Sequence, residues 1–198
     1  VRDRMVEVAS QPYSGPRIVG AEARPPEWDW LYLFDGIGDE TVMTEVARMR
    51  GVHPAAAMID IALERDFDVF FRQPLANENQ DHVLEMMRHP RSVVTFSDSG
   101  AHVAQIMDSS LQTHLLSHWV RDKQAFTLEK AVRLITYDTA SAWGLHDRGL
   151  IREGLNADLV IFNPDTIGQN MPELLHDLPA GAPRLKQTAI GIKATVVN

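Results

Sequence analysis

The chain has 198 residues, a formal net charge of −8 and no cysteine. The negative charge argues against a nucleic-acid or anionic-membrane partner, because such surfaces repel an acidic protein. The lack of cysteine excludes disulfides and thiolate metal ligands and favours a cytoplasmic location, and no segment has the run of consecutive apolar residues that a membrane span needs.

The first half of the chain combines short apolar runs with stretches of helical periodicity. Proline, glycine and charged residues dominate residues 1–27, which predicts mostly loop. The pattern predicts strands at 17–19, 28–34 and 68–72, and helices at 39–50, from residue 54, and at 78–89. Asp39 or Thr41 would cap the first helix and Gly51 would end it, while Pro54 opens the second.

The second half opens on the apolar run Val93–Phe96. Because this run is continuous rather than alternating, it predicts a strand buried on both faces. With the strand at 68–72 and the intervening helix it would form a βαβ unit of parallel strands. The remaining pattern predicts helices at 109–121, 127–135 and 136–144, strands at 157–162 and 188–197, and a loop at 172–183. The helix at 127–135 starts with Thr127-Leu128-Glu129-Lys130, a capping box in outline with lysine rather than glutamate at the fourth place.

Asp98 directly follows the predicted strand at Val93–Phe96 and precedes a small, flexible turn and His102. In (β/α)8 barrels this end of a parallel strand is where catalytic groups project. Aspartate in a turn or at a helix N-cap is the alternative. The position therefore predicts either a catalytic carboxylate or a capping residue.

Two motifs together resemble the amidohydrolase superfamily. The first is Ser97-Asp98 with His102 four residues on, and the second is the stretch LHDRGLIREGLNADLV at 145–160. In that superfamily the first motif ends the last barrel strand, and the second turns at glycines such as Gly149 and Gly154 and leads into a small β-sandwich. The aromatic strand at 28–34, the helix at 40–50, and the segments GVHP and VFF make the D-aminoacylase (N-acyl-D-amino-acid deacylase) family the branch that this chain resembles.

The resemblance implies an α/β fold in two parts. Residues 1–147 would be the late strands and helices of a metal-dependent hydrolase (β/α)8 TIM barrel, and residues 148–198 a segment returning to the β-sandwich. A typical barrel needs roughly 250 residues, and the eight histidines include no His-x-His pair of the kind that the family's first strand carries. The chain is therefore predicted to be the C-terminal part of such an enzyme, with the missing N-terminal half of the barrel or a second copy as its partner.

The resemblance also implies a reaction, which is metal-dependent hydrolysis of a non-peptide C–N bond in a small N-acyl-D-amino acid, with one or two zinc ions. Asp98 is the one catalytic residue that carries over; it would bind the metal and move a proton from water to the leaving nitrogen. His102 would stand beside the metal ligand or the substrate, with Ser97 and Ser99 as further neighbours. Arg72 is a candidate partner for a substrate carboxylate, with a surface ion pair as the alternative.

Other assignments stay open at this point. His114 and His118 have the i, i+4 spacing of a helical metal site, but Leu115 stands where zinc proteases carry a glutamate. A cyclic amide such as a hydantoin or dihydropyrimidine is another substrate class for the same superfamily. Half a barrel could also be a non-catalytic structural or binding element, because one carboxylate does not hold zinc against water.

Overall fold

The computed structural model describes residues 1–12, 26–105 and 108–197, which form helices and short strands. The chain divides into two units, Val1–His82 and Val83–Asn198. No helix among the described residues is both long and apolar enough to cross a membrane. The strand predicted at 17–19 lies outside the described residues.

A three-stranded antiparallel sheet forms the centre of the first unit. Its central strand β1 (Tyr32–Gly36) pairs with β2 (Asp39–Val42) on one side and β3 (Phe70–Arg72) on the other. Leu33 lies opposite Thr41 in one ladder and opposite Phe71 in the other. Gly38, at φ 81°, supplies the left-handed residue that the tight β1–β2 turn needs.

Three helices accompany this sheet, namely α1 (Arg2–Ala9), α2 (Met43–Arg50) and α3 (Pro54–Glu64). The predicted end of α2 is confirmed, because Gly51 occupies the C-cap with a left-handed φ of 67°. Proline opens α3 as predicted, and the Nδ1 atom of His53 accepts from the backbone N–H of Ala55 at 3.1 Å. The sheet and helices enclose one core cluster: Leu31, Leu33, Met43, Val46, Ala47, Ala57 and Ile61.

The second unit is built around helices. After α4 (Gln80–Arg88), the chain forms α5 (Leu111–His114), a π-helical segment (Leu115–Asp122), α6 (Leu128–Leu134) and α7 (Tyr137–Ala142). The Oγ1 atom of Thr127 accepts from the backbone N–H of Lys130 at 3.2 Å, which caps α6 as the sequence predicts. The core of this unit comprises Leu115, Leu116, Trp119, Ala131, Leu134 and Ile167.

The strands described in the second unit are short, and all but the first belong to two-stranded antiparallel pairs. The elements are β4 (Ser99–His102), β5 (Leu159–Phe162), β6 (Gly168–Gln169), β7 (Glu173–Leu175), β8 (Arg184–Lys186), β9 (Ala189–Ile190) and β10 (Ile192–Val196). The antiparallel pairs are β5 with β10, β6 with β9, and β7 with β8. The strand predicted at 157–162 is confirmed by β5, whereas the single strand predicted at 188–197 is divided at Gly191 into β9 and β10, which pair with different strands. The assembly of these strands into a β-sandwich stays a prediction.

The prediction of a buried parallel strand at Val93–Phe96 is wrong for this chain. Residues 92–98 have no regular secondary structure, and Phe96 is 74 % exposed. The strand pairs that the described residues form are antiparallel, so the predicted βαβ unit is absent from this part of the chain. A barrel strand becomes buried only when neighbouring strands and helices cover it on both faces, and the described residues supply 93–96 with no strand partner.

Two further predictions need correction. The helix predicted at 39–50 begins four residues later, because Asp39–Val42 pairs with β1 before α2 starts. The segment predicted as a loop at 172–183 contains β7 and a 3-10 turn at Pro179–Gly181. The boundary predicted at residue 147, between the barrel and the segment that returns to the β-sandwich, stays a prediction.

Candidate active site

Asp98 lies in a tight turn that leads into β4. The φ angles of Asp98, Gly100 and His102 are 60°, 97° and 48°, all in the left-handed region. Aspartate tolerates this region better than most L residues because its short polar side chain forms local hydrogen bonds. The carbonyl oxygen of Asp98 accepts from the backbone N–H of Ala101 at 3.1 Å. The carboxylate itself is exposed, so water and small molecules can reach it.

The other predicted residues of this segment lie in the same turn. The Oγ atom of Ser97 accepts from the backbone N–H of Ser99 at 3.2 Å, an interaction that fixes the turn. The carbonyl oxygen of His102 accepts from the N–H of Gln105 at 2.7 Å, and the His102 side chain is exposed. The structure therefore places these three side chains within four residues of Asp98, on one short stretch of backbone.

Arg72 lies at the end of β3 in the first unit. Its guanidinium pairs with the Glu40 carboxylate and stands over the rings of Tyr32, at 5.1 Å from the centroid, and Phe34, at 6.0 Å. Arg72 faces Tyr32 in one ladder and Glu40 faces Phe34 in the other, so the sheet register brings the ion pair together across β1. The described structure thus contains the ion pair that the sequence left as the alternative, and a contact of Arg72 with substrate stays a prediction.

The second sequence motif forms a loop closed by polar contacts. Asp147 accepts from Asn156 twice, through its carbonyl oxygen at 2.9 Å and through Oδ2 at 2.7 Å. The Nη1 atom of Arg148 donates to Oδ2 of Asp158 at 2.8 Å. The Arg148 guanidinium also lowers the pKa of Asp147 from its ordinary value by hydrogen bonding. Asp158 therefore anchors the loop through Arg148.

Gly149 is the residue of this loop that the fold constrains most strongly. Its φ is 87°, and an added Cβ would lie 3.1 Å from both the Cα of Tyr137 and the Cβ of Ala140. Gly154 shares the conformation at φ 85°, but no atom lies within 4 Å of its added Cβ. Gly149 is thus required for backbone conformation and for space, and Gly154 for conformation alone.

His114 and His118 stack on each other, with ring centroids 4.7 Å apart and an interplanar angle of 11°. Burial lowers the pKa of His118, the charge of Lys123 lowers it further, and Asp122 opposes both. The Nε2 atom of His118 is buried without a hydrogen-bond partner among the described residues. The i, i+4 spacing of the two histidines predicts that they lie on the same face of a helix, but it does not predict that their rings stack.

Two cavities of the described structure are lined by residues other than Asp98. One of about 530 Å³ is lined by Trp30 and residues 78–81, and one of about 220 Å³ by Met86, Met87 and residues 92–94. The second is next to the segment that precedes Asp98, but Asp98 lines neither of them. In this structure Asp98 is therefore a surface carboxylate rather than a group enclosed in a pocket.

The zinc that the resemblance implies does not fit the residues that the structure describes. Across residues 1–12, 26–105 and 108–197, no three histidine, aspartate or glutamate side chains come together in a group that could hold a metal ion. Catalytic zinc sites use three protein ligands. Asp98 alone offers one carboxylate, which is too few ligands for such a site, and its role as a metal ligand stays a prediction.

Two structural contacts near the candidate residues were not anticipated from the sequence. The sequence predicts a helix at Glu40, whereas its ion pair with Arg72 across β1 depends on the strand register. The Oγ1 atom of Thr139, on α7, donates to the carbonyl oxygen of Val94. This hydrogen bond connects the segment before Asp98 to α7. The Oγ1 atom of Thr139 also donates to the carbonyl oxygen of Leu134 at 2.9 Å, and this local contact is the one that the sequence predicts.

Comparison with known proteins identifies related enzymes. N-acyl-D-aspartate deacylase from Alcaligenes xylosoxydans xylosoxydans is 29% identical over 133 residues, which is 67% of this chain and 22% of that protein. D-aminoacylase from the same organism is 45% identical over 53 residues, 27% of this chain and 11% of that protein. The chain therefore spans about a fifth or less of the length of these curated relatives.

A solved structure also resembles the chain. It is the N-acyl-D-glutamate deacylase of Bordetella bronchiseptica, complexed with zinc and a phosphonate inhibitor that mimics the tetrahedral intermediate. The TM-score is 0.48 at 22% identity, over 85% of this chain and 33% of that chain. A family model described as the Amidohydrolase family matches residues 32–198. Because this match covers most of the sequence, the chain belongs to the Amidohydrolase family.

Proposed function

We propose that this chain is part of a hydrolase that cleaves a C–N bond other than a peptide bond, and that its substrate is an N-acyl-D-amino acid. The observation that carries the proposal is the family match over residues 32–198. The names of the relatives, an N-acyl-D-aspartate deacylase and a D-aminoacylase, favour an acylated amino acid over a cyclic amide.

Asp98 is the residue to which we assign proton transfer. Its exposed carboxylate is accessible to an attacking water and to an amide nitrogen. In the hydrolysis, the water oxygen bonds to the acyl carbon, the C–N bond breaks, and one water proton passes through the carboxylate to the leaving nitrogen. The second water proton passes from the new carboxylic acid to the freed amine, so the products are a carboxylate and an amino acid in its ammonium form, and Asp98 ends in the ionised form in which it began.

Ser97 and His102, in the same segment as Asp98, would orient the substrate for this proton transfer. Ser97 fixes the turn by accepting from Ser99, and His102 offers an exposed imidazole at the other end of the same turn. Arg72 is the proposed contact for the carboxylate of the amino acid, since a guanidinium binds a carboxylate through two parallel hydrogen bonds. For that contact to form, substrate must compete with Glu40 for the same guanidinium.

Asp98→Asn tests the assignment. In the native polypeptide, supplied with zinc and N-acetyl-D-amino acids, the variant should lose at least about two orders of magnitude in kcat, because general acid–base catalysis contributes about 10²–10⁴. Its unfolding free energy should change little, since the side chain is exposed. Asp165→Asn is the matched control, because it neutralises another exposed aspartate of the second unit.

Wild-type turnover by Asp98→Asn would refute the assignment of Asp98. Turnover of hydantoin or dihydropyrimidine rings, with none of N-acetyl-D-amino acids, would refute the proposed substrate but leave the hydrolase class intact. Assaying both substrate types on the same preparation separates these outcomes.

A second candidate, a structural or binding element that associates with another barrel segment or copy, is favoured by large exposed apolar side chains. Phe96 is 74 % exposed, Trp143 64 % and Ile151 93 %. Exposed apolar groups of this size mark contact surfaces when they are contiguous. Sedimentation of the isolated chain tests this candidate: a stable monomer over the micromolar range would argue against it.

A further inference from the structure

The pair His114 and His118 carries an inference beyond the proposed hydrolysis. His114 is the last residue of α5, and His118 lies one turn later in the π-helical segment Leu115–Asp122. Residues four apart on a helix share a face, and the two rings lie nearly parallel with centroids 4.7 Å apart. The helix thus presents two imidazoles side by side.

The surroundings of His118 hold this geometry in place. The indole of Trp119 meets the His118 ring edge-on at a centroid distance of 5.0 Å. Leu115, Leu116, Ser117 and Trp119, in the same helical segment, are all buried. The ring of His118 therefore packs between Trp119 and His114.

The Nε2 atom of His118 is left without a hydrogen-bond partner among the described residues. A buried polar atom without a partner loses the hydrogen bond that water would otherwise give it, which is unfavourable. Its position beside a second imidazole indicates what a partner would be, since ring nitrogens bind divalent transition ions in their neutral form.

Neighbouring imidazoles can reach the spacing that such an ion requires. Zn–N bonds of about 2.0–2.1 Å place two ligating nitrogens roughly 3 Å apart. The terminal χ2 torsion of histidine is broad, so a modest rotation of the stacked rings brings one nitrogen of each to that spacing. No third histidine, aspartate or glutamate completes a cluster in the described part of the chain, so water would fill the other coordination positions.

We propose that His114 and His118 form a two-imidazole site for a borderline divalent transition ion such as Zn²⁺, Ni²⁺ or Cu²⁺. The ion bridges one turn of the helix and binds labile water in its remaining positions. With only two protein ligands, the ion keeps water in its other positions, so the pair is not a closed structural zinc site. Ion binding also stabilises the folded helix at the junction of α5 and the π-helical segment.

Calorimetric titration of the full chain with Zn²⁺ tests the proposal. The wild type should bind one ion at this pair, and His114→Ala and His118→Ala should each weaken that binding by at least about tenfold, or about 1.4 kcal/mol. His82→Ala is the matched control, because it removes an exposed helical imidazole that has no histidine within four residues. Its affinity should equal that of the wild type.

A second measurement keeps the test decisive if His118→Ala fails to fold. In the wild-type chain, substoichiometric Ni²⁺ should broaden the imidazole proton resonances of His114 and His118 before those of His82. Absence of Zn²⁺ binding in the wild type, equal affinity in His114→Ala, or uniform broadening of all histidine resonances would each overturn the proposal.

Discussion

The two units of the chain differ in how their strands are supported. In the first unit a three-stranded sheet belongs to one core with two helices, around Met43 and Ile61. In the second unit the core is helical, around Trp119 and Leu134, and the strands stand in separate pairs. Among the described residues, ten buried hydrophobic side chains lie in the first unit and seven in the second, although the second unit is the longer.

This difference indicates that the second unit depends on polar contacts as well as on its apolar core. An isolated two-stranded ribbon is marginal in water, so the pairs of the second unit need further attachment. The described contacts include the closed polar loop around Asp147, and the Arg121 guanidinium, which donates to the carbonyl oxygen of Ile167 at 2.6 Å. The candidate catalytic turn lies in this less enclosed unit, where a binding loop is expected to be found.

Gly149→Val should give the largest effect, because it breaks the polar loop of the second unit. The substitution combines a left-handed φ of 87° with a Cβ 3.1 Å from the Cα of Tyr137. Left-handed backbone costs about 1–2 kcal/mol and overpacking about 1–3 kcal/mol more. We expect a loss of about 4 kcal/mol in the unfolding free energy, measured by urea denaturation.

Gly154→Val is the control for this prediction. It introduces the same side chain at φ 85°, where no atom lies within 4 Å of the added Cβ. It should cost only the backbone strain, about 1–2 kcal/mol. Equal losses of unfolding free energy in the two variants would show that crowding at Gly149 does not contribute to the effect.

Met43→Ala tests the core of the first unit and should have the next largest effect. Met43 is 0 % exposed, whereas Met49 on the same helix is 63 % exposed. Truncating a buried methionine to alanine costs about 2–5 kcal/mol, so we expect a loss of about 3 kcal/mol in the unfolding free energy. Met49→Ala should stay within about 0.5 kcal/mol of the wild type, and a similar loss in both variants would contradict the position of this core.

The sequence predicts best those features whose cause is local. The glycine C-cap at Gly51, the proline that opens α3 and the threonine cap at Thr127 each depend on atoms within four residues. The cluster of Ser97, Asp98, Ser99 and His102 is local in the same sense, which is why one turn brings them together.

Features that depend on distant partners were not predictable in this way. The hydrophobic run Val93–Phe96 has the composition of a buried strand, but a strand forms only where neighbouring strands pair with it. The partnership of Glu40 with Arg72 depends on the register of two ladders across β1. The ligands of a catalytic metal come from several strands, so one motif around Asp98 could not define them.

Thr127→Ala compares a local cap of the second unit with these larger effects. The Oγ1 atom of Thr127 satisfies the backbone N–H of Lys130, and alanine leaves that donor to water. The expected loss is about 1 kcal/mol in the unfolding free energy. Thr127→Ser should restore the stability, because serine accepts the same hydrogen bond, and failure of that rescue would assign the loss to the methyl group instead.

Asp35→Asn tests the first unit's surface charges and should have the smallest effect. The Arg65 guanidinium hydrogen-bonds to Asp35 and lowers the pKa of that carboxyl from its ordinary value. The pair therefore stabilises the fold above the ordinary carboxyl pKa of about 3.9, and this contribution is lost as the pH falls through the lower pKa of the folded state. Both partners are largely solvent-accessible, so the loss at pH 7 should be below about 1 kcal/mol. The difference between variant and wild type, measured by urea denaturation at pH 7 and again near pH 3, should shrink at the lower pH; a difference that stays constant or grows on acidification would contradict a stabilising contribution from the ionised pair.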